Sequence, residues 1–210
     1  MKAYIFLHGE GSGRAFYKSH IDSTREADDV VICANGGYET AISLGIEPRI
    51  VVGDLDSLHD IEIGGGTAVF KHPAVKDYSD FELALKEALK LKPEIIFVYG
   101  ALGGRKDHEI VNITLLAHTG IPIVFMEEET EIYNVIDELE IVGKRGRVCS
   151  LVTFGDGCFV STMEGFHYLL KDEVLLPSSR GLSNIIEEDR AYISITKGTL
   201  LVIVTSDLVQ

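Results

Sequence analysis

Two aspartates separated by a single residue, Asp54 and Asp56, follow the apolar run 50–53 in the segment RIVVGDLDSL. Carboxylates this close repel each other unless water or a cation lies between them. A lone D-x-D is as typical of a solvated turn as of a metal site. Its chemistry therefore depends on which other polar residues follow strands of the same sheet.

Three further polar segments follow apolar runs in the same way: ANGG at residues 34–37, KDYSD at 76–80 and GALGGRKDH at 100–108. The carboxyl ends of parallel strands share one edge of a sheet, where ligands bind. We expect five carboxylates and two basic groups on that rim, namely Asp54, Asp56, Asp77, Asp80, Asp107, Lys76 and Arg105. Hard oxygen ligands of this kind suit Mg²⁺, which completes its shell with water and substrate phosphates.

The glycine-rich segment carries groups that can bind phosphate. Gly103 and Gly104 permit close backbone approach, the following helix offers free N–H groups, and Arg105 offers a planar fork of donors. His108, in the first turn of that helix, is a candidate acid or base, or a packing residue. By itself such a segment is more typical of a tight turn. The segment GEGSG at residues 9–13 lacks dinucleotide-binding spacing, which favours a simple turn there.

Short apolar runs alternate with helical patterns from residue 1 to about residue 125. The runs are AYIFLHG, VVICANGG, RIVVGD, TAVFKH, EIIFVYG and IPIVFM. This alternation predicts a mostly parallel, Rossmann-like α/β sheet. Ser79 or Asp80 should cap the clearest helix, SDFELALKEALKLK. Its apolar stripe comprises Phe81, Leu85, Ala88 and Leu89, and that of the second helix, DHEIVNITLLAH, comprises Ile110, Ile113, Leu116 and Ala117.

From about residue 132 onward the pattern predicts short antiparallel strands separated by the turns GKRG, GDG, PSSRG and TKG. We therefore divide the chain into an α/β domain at residues 1–130 and a β domain at 131–210, with the acidic run 127–131 at the junction. A β domain of this size needs support from the first domain or from another subunit.

Composition excludes some classes of function. The chain has 19 lysines and arginines against 33 aspartates and glutamates, a net charge of -14, which argues against nucleic-acid binding. Cys33, Cys149 and Cys158 show no C-x-x-C spacing, so the sequence indicates neither disulfides nor zinc and fits a cytoplasmic location. No apolar run has the length of a signal peptide or a membrane span, so we expect a soluble protein without membrane partners.

Taken in order, these segments resemble the motifs of the thiamin pyrophosphokinase family. The family patterns A-D-G-G, G-D-x-D-S, K-D-x-T-D, G-x-x-G-G-R-x-D-H and G-x-S-N correspond to ANGG, GDLDS, KDYSD, GALGGRKDH and GLSN, the last at residues 181–184. The likeness runs over nearly the whole chain. Asn35 replaces the usual aspartate and removes one negative charge, and Ser79 replaces the usual threonine.

The resemblance implies an α/β domain followed by a smaller antiparallel β-sandwich domain in a homodimer. The implied reaction transfers the pyrophosphoryl group of ATP to the hydroxyl of thiamin, giving thiamin diphosphate and AMP. It implies Mg²⁺ at Asp54, Asp56 and Asp80, and phosphate contact by Arg105. The resemblance further implies that the metal or the nucleotide is supported by Asn35, Lys76, Asp77, Gly103, Gly104, Asp107 and His108.

For thiamin, the resemblance implies contacts from Ser183 and Asn184 in a pocket shared between two subunits. Ser183 offers a hydroxyl and Asn184 an amide, which suit a ring nitrogen and an exocyclic amine. Because the chain has no tryptophan, Phe166 and Tyr168 are the aromatic candidates for stacking on thiamin. Ordinary core packing is the favoured alternative for both.

Other functions remain open at this point. A non-catalytic nucleotide or thiamin sensor fits the missing carboxylate at Asn35 and a β domain that could serve as an interaction module. A Mg²⁺-dependent phosphotransferase acting on a different alcohol would carry the same phosphate motifs. A D-x-D phosphatase or nucleotide-sugar enzyme is disfavoured, because the pair follows the third apolar run rather than the first.

Overall fold

The computed structural model describes residues 1–9, 12–55, 63–73 and 77–208. The chain forms two compact units. The α/β unit comprises Met1–Leu115 and Ile123–Glu128, and the β unit comprises Leu116–Pro122 and Glu129–Gln210. The family resemblance predicted this combination of an α/β and a β fold, and the fold prediction is confirmed.

The α/β unit contains a parallel sheet of six described strands in the order β6-β5-β1-β2-β3-β4. These are β1 Ala3–Phe6, β2 Val30–Ala34, β3 Ile50–Gly53, β4 Ala68–Lys71, β5 Ile96–Tyr99 and β6 Ile123–Met126. β1, β2, β3 and β6 are buried throughout, as expected for a sheet covered on both faces. The strand order reverses between β1 and β5, which is where ligands bind in sheets of this type.

Four described helices accompany this sheet: α1 Arg14–Thr24, α2 Gly37–Ser43, α3 Asp80–Lys90 and α4 Lys106–His118. Ser79 caps α3 as predicted, because its side chain accepts a hydrogen bond from the Glu82 N–H at 3.2 Å. Most of the predicted α3 stripe is buried, but Leu89 is exposed because it lies at the margin of the buried arc.

The predicted face of α4 is wrong at Ile110, which is 64% exposed. Leu116 and Ala117 of the predicted stripe are buried, and the helix turns Asn112 inward as well. A polar contact sets this rotation, because Asn112 Nδ2 donates to the Ala101 carbonyl at 2.9 Å. Hydrophobic periodicity alone does not report such a contact.

The β unit is antiparallel and is organised around two long strands. Its strands are β7 Thr130–Val135, β8 Glu138–Val142, β9 Arg147–Glu164, β10 Glu173–Leu175, β11 Asn184–Ile185 and β12 Arg190–Leu208. β9 and β12 pair with each other, while β8 flanks the first part of β12 and β7 flanks its later part. Apolar residues from both parts form one core, which gives the predicted sandwich.

The segments GDG and TKG, predicted as turns between strands, lie within β9 and β12. The pairing register shifts between residues 194 and 199, where a Cβ on Gly198 would lie 2.1 Å from the Gly157 carbonyl oxygen. Here the glycines allow a bulge and close backbone contact rather than a chain reversal.

Two other features of the described residues bear on the sequence expectations. All three cysteines are buried as free thiols. No helix in the described part of the chain combines the length and apolar character needed to cross a bilayer.

Candidate active site

A cavity of about 530 Å³ lies at the carboxyl edge of the parallel sheet. We call it the strand-end cavity, because segments that follow β1, β2, β3 and β5 line it together with the starts of α3 and α4. It brings together seven of the predicted site residues: Asn35, Asp54, Asp80, Gly103, Gly104, Arg105 and His108. Residues from distant parts of the sequence therefore meet where the strand-end rule predicts.

Asn35 connects two of the acidic segments. Its Oδ1 accepts a hydrogen bond from the Leu55 N–H at 3.1 Å, and its Nδ2 donates to Asp80 Oδ2. A Cβ on Gly53 would lie 1.9 Å from Asn35 Oδ1, so only glycine leaves room for this carboxamide. An aspartate at position 35 could still accept from Leu55, but it has no hydrogen to donate to Asp80.

The donor set of the cavity is compatible with Mg²⁺. Asp54 and Asp80 are partly buried, line the cavity and offer hard oxygen ligands, and one or two carboxylates are what Mg²⁺ uses beside substrate phosphates. In the part of the chain that the structure describes, no three His, Cys, Asp or Glu side chains form a ready-made metal cluster. Asp56 lies outside the described residues, so its predicted contribution stays a prediction.

The glycine-rich segment turns sharply before α4. Gly103 and Gly104 have φ of 85° and 77°, a left-handed conformation that favours glycine. The Gly103 N–H donates to Glu109 Oε1 in the first turn of the helix. This geometry leads the chain directly into a helix N-terminus beside the cavity, which is favourable for an anionic ligand.

Arg105 forms two hydrogen bonds with the Asp107 carboxylate. Its Nε donates to Asp107 Oδ1 at 3.1 Å and its Nη2 donates to Oδ2 at 2.6 Å. The hydrogen bond from this guanidinium, with a further one from the His108 N–H, lowers the pKa of Asp107 to about 2. Asp107 is therefore ionised at neutral pH and orients Arg105 from outside the strand-end cavity.

Two predicted residues of the α/β unit remain, Asp77 and Lys76. Asp77 is exposed and does not line the strand-end cavity. Lys76 lies outside the described residues. Sequence reasoning missed two polar side chains of the cavity, those of His8 and Asn112. The strand-end rule could have identified His8, because His8 follows β1 closely. Asn112 lies one helical turn after His108 on α4.

A second cavity, of about 580 Å³, lies within the β unit. We call it the β-unit cavity; residues 167–170 and 180–182 line it with Leu151 and Asn184. Its lining is largely apolar, in contrast to the acidic strand-end cavity. Tyr168 lines it with a side chain that is 65% exposed.

Asn184 shapes this cavity through the backbone. Its Oδ1 accepts from the Tyr168 N–H at 2.9 Å and its Nδ2 donates to the Tyr168 carbonyl at 2.7 Å. Ser183 is exposed, does not line the cavity and donates its N–H to Ser150 Oγ at 3.1 Å. Phe166 is buried in the core, in agreement with the favoured packing interpretation.

These features define a class of protein, with an α/β unit that carries an acidic, glycine-rich cavity suited to an anionic ligand and a β-sandwich unit with a cavity of its own. Two family models match the chain: the thiamin pyrophosphokinase catalytic domain at residues 21–125 and the thiamin pyrophosphokinase vitamin B1 binding domain at residues 135–200. The chain belongs to the thiamin pyrophosphokinase family, as its sequence motifs predicted.

Individual relatives agree with this assignment. Thiamine pyrophosphokinase of Bacillus subtilis is 31% identical over 186 residues, which cover 81% of this chain and 85% of that protein. A crystal structure of thiamine pyrophosphokinase from Bacillus subtilis matches with a TM-score of 0.83 and 27% identity, covering 99% of this chain and 100% of the other. Thiamine pyrophosphokinase 3 of Oryza sativa is 27% identical over 178 residues, covering 74% of this chain and 65% of that protein.

Proposed function

We propose that this chain transfers the pyrophosphoryl group of ATP to the hydroxyl of thiamin, giving thiamin diphosphate and AMP. The observation that carries the proposal is the joint match of a catalytic and a vitamin B1 binding model to one chain. The strand-end cavity supports it, because acidic, glycine-rich and arginine segments meet there.

In this reaction the thiamin hydroxyl oxygen attacks the β-phosphorus of ATP. The bond from that phosphorus to the α,β-bridging oxygen breaks, AMP leaves with the electron pair, and the hydroxyl loses its proton. The protein's contribution is positioning and electrostatic stabilisation of charge on the phosphate oxygens. The N–H groups at the start of α4 and the Arg105 guanidinium are suited to that task.

Asp54 and Asp80, with Asp56, are the residues that would hold Mg²⁺. The bound ion would supply neutralisation of phosphate charge. Asn35 restrains Asp80 through its Nδ2, so the carboxylate has a defined orientation before any ligand arrives. Asp107 restrains Arg105 in the same manner.

The β-unit cavity is the proposed site for the thiamin rings. Its apolar lining suits an aromatic ring, and Tyr168 offers an aromatic face to the cationic thiazolium. In this proposal Asn184 acts by fixing the Tyr168 backbone, and Ser183 contributes at its margin. The active species is a homodimer that shares the thiamin site between subunits. A cytoplasmic location stays a prediction from cysteine usage.

Measuring AMP release from ATP, with and without thiamin, tests the proposed reaction. Thiamin-dependent AMP formation with matching thiamin diphosphate supports it. Binding of ATP and thiamin without AMP release would instead support the sensor. AMP release that depends on another alcohol but not on thiamin would support a different acceptor.

A further inference from the structure

A buried carboxylate lies beside the strand-end cavity. Glu127 follows β6 directly and is 6% exposed. Its Oε2 accepts from Ser12 N at 2.9 Å, Ser12 Oγ at 2.7 Å and Tyr17 OH at 2.5 Å, while its Oε1 accepts from Gly100 N at 2.9 Å. Among the described residues no lysine, arginine or histidine forms an ion pair with Glu127. Burying a carboxyl group is costly unless it is hydrogen-bonded, and these four donors meet that requirement.

The Tyr17 hydroxyl also contacts the two backbone N–H groups that Glu127 binds, those of Ser12 and Gly100. Its hydroxyl oxygen accepts from Ser12 N at 3.1 Å and from Gly100 N at 3.1 Å, while its proton is donated to Glu127. Burial, followed by the adjacent carboxylate, raises the pKa of Tyr17 above its ordinary value. The hydroxyl therefore keeps its proton and remains a donor to Glu127.

The two bridged segments form part of the strand-end cavity. Ser12 belongs to the segment after β1, and Gly100 follows β5; Gly9 and Gly100 both line the cavity. A Cβ on Gly9 would lie 2.2 Å from the Gly100 carbonyl oxygen, so the backbones touch without room for a side chain. β1 and β5 are also the strands between which the sheet order reverses.

We infer that Glu127 and Tyr17 form a latch that sets the spacing of the segments after β1 and β5, and with it the shape of the site for the ATP phosphate chain. Both are positioning residues that act through Ser12 and Gly100. The inference rests on the proposed function, because it assigns the strand-end cavity to ATP. It also gives Ser12 a role that the spacing of its segment, GEGSG, did not reveal.

Glu127→Gln tests the latch in the full-length chain. Glutamine provides one acceptor oxygen and places an NH₂ group where the second oxygen was, so either Gly100 or Ser12 loses its carboxylate acceptor and keeps only the Tyr17 hydroxyl. Calorimetric titration with Mg²⁺ and α,β-methylene ATP, an analogue that cannot be cleaved between its α- and β-phosphorus, should show binding at least about tenfold weaker. The KM for ATP should rise while the KM for thiamin is unchanged. Glu128→Gln, at the exposed neighbouring position, should bind the analogue like the wild type.

Tyr17→Phe provides a milder variant if Glu127→Gln does not fold. It removes one of four donors to Glu127 and keeps the aromatic ring, so it should weaken binding in the same direction by a smaller factor. Variants that melt earlier but bind the analogue with wild-type affinity would overturn the latch. Equal increases in KM for ATP and for thiamin would also overturn it. A wild-type chain that does not bind the analogue would overturn the proposed function, and the latch with it.

Discussion

The two cavities of this protein are built in opposite ways. The strand-end cavity collects charged side chains and positive-φ glycines from segments that follow parallel strands. The β-unit cavity is lined mostly by apolar side chains. In the first cavity two carboxylates face a prospective ligand, whereas in the second the buried amide of Asn184 is bonded to the backbone of Tyr168.

This difference indicates where each cavity obtains its selectivity. In the proposed function, charged groups of the strand-end cavity bind the phosphate chain and its metal directly, so replacing one should change the chemical step. A largely apolar cavity selects by shape and stacking, so Asn184 should act on ring binding by fixing the wall. Five predictions test this contrast, beginning with the largest expected effect.

Asp54→Asn and Asp56→Asn should each lower turnover by orders of magnitude, and activity should depend strictly on a divalent cation. A missing ligand mispositions the transferring group, which affects kcat more than substrate binding. Steady-state AMP release measures this effect. Asp28→Asn, an exposed carboxylate that does not line the cavity, is the matched control. Wild-type turnover in excess chelator would contradict the metal assignment.

Arg105→Lys should lower turnover by roughly one to two orders of magnitude, because a point charge replaces a planar fork. The lysine would also lose the two-point contact with Asp107 that orients the guanidinium. Because the pKa of Asp107 is lowered to about 2, this contact is complete at neutral pH and is lost only as the pH falls through that value. Comparable kcat for arginine and lysine would refute a bidentate role.

Asn184→Ala should raise the KM for thiamin and leave the KM for ATP nearly unchanged. Alanine releases the part-buried backbone N–H and carbonyl of Tyr168, with a loss of stability of about 1 kcal/mol. Activity titrations of each substrate measure the two KM values, and a melting curve measures the loss of stability. A parallel increase in both KM values would mean that the residue serves stability alone.

The Asn184→Ala variant also tests the shared site. Mixing it with Asp56→Asn protein should restore part of the activity, because one site in each mixed dimer is assembled from intact halves. If exchange of subunits is demonstrated and no activity returns, the thiamin site lies within a single chain.

Much of the fold and of the strand-end cavity was predictable from the sequence. Apolar runs followed by polar segments identify parallel strands and their functional edge, and this rule placed Asn35, Asp54 and Asp80 together. It does not report hydrogen bonds between side chains and distant backbone, so the inward rotation of Asn112 was missed. Glu127 was assigned to an acidic junction for the same reason, since only the folded chain brings its four donors together.

Asn35→Asp should give the smallest effect, because it replaces one polar contact while keeping the backbone conformation. Asn35 has φ of 44°, which aspartate also tolerates. The new carboxylate adds attraction for Mg²⁺ but loses the donor to Asp80 and places two like charges in contact. We therefore expect an active enzyme with a modestly higher Mg²⁺ affinity and a lower melting temperature in the absence of Mg²⁺, by a few degrees, which added Mg²⁺ reverses. Melting curves and activity titrations against Mg²⁺ compare the two forms.

Asn35→Ala separates the loss of the donor from the added charge, because it removes the donor without adding charge. It should lower the melting temperature whether Mg²⁺ is present or not. An inactive wild type rescued by the aspartate would instead identify this chain as a sensor that has lost an essential ligand.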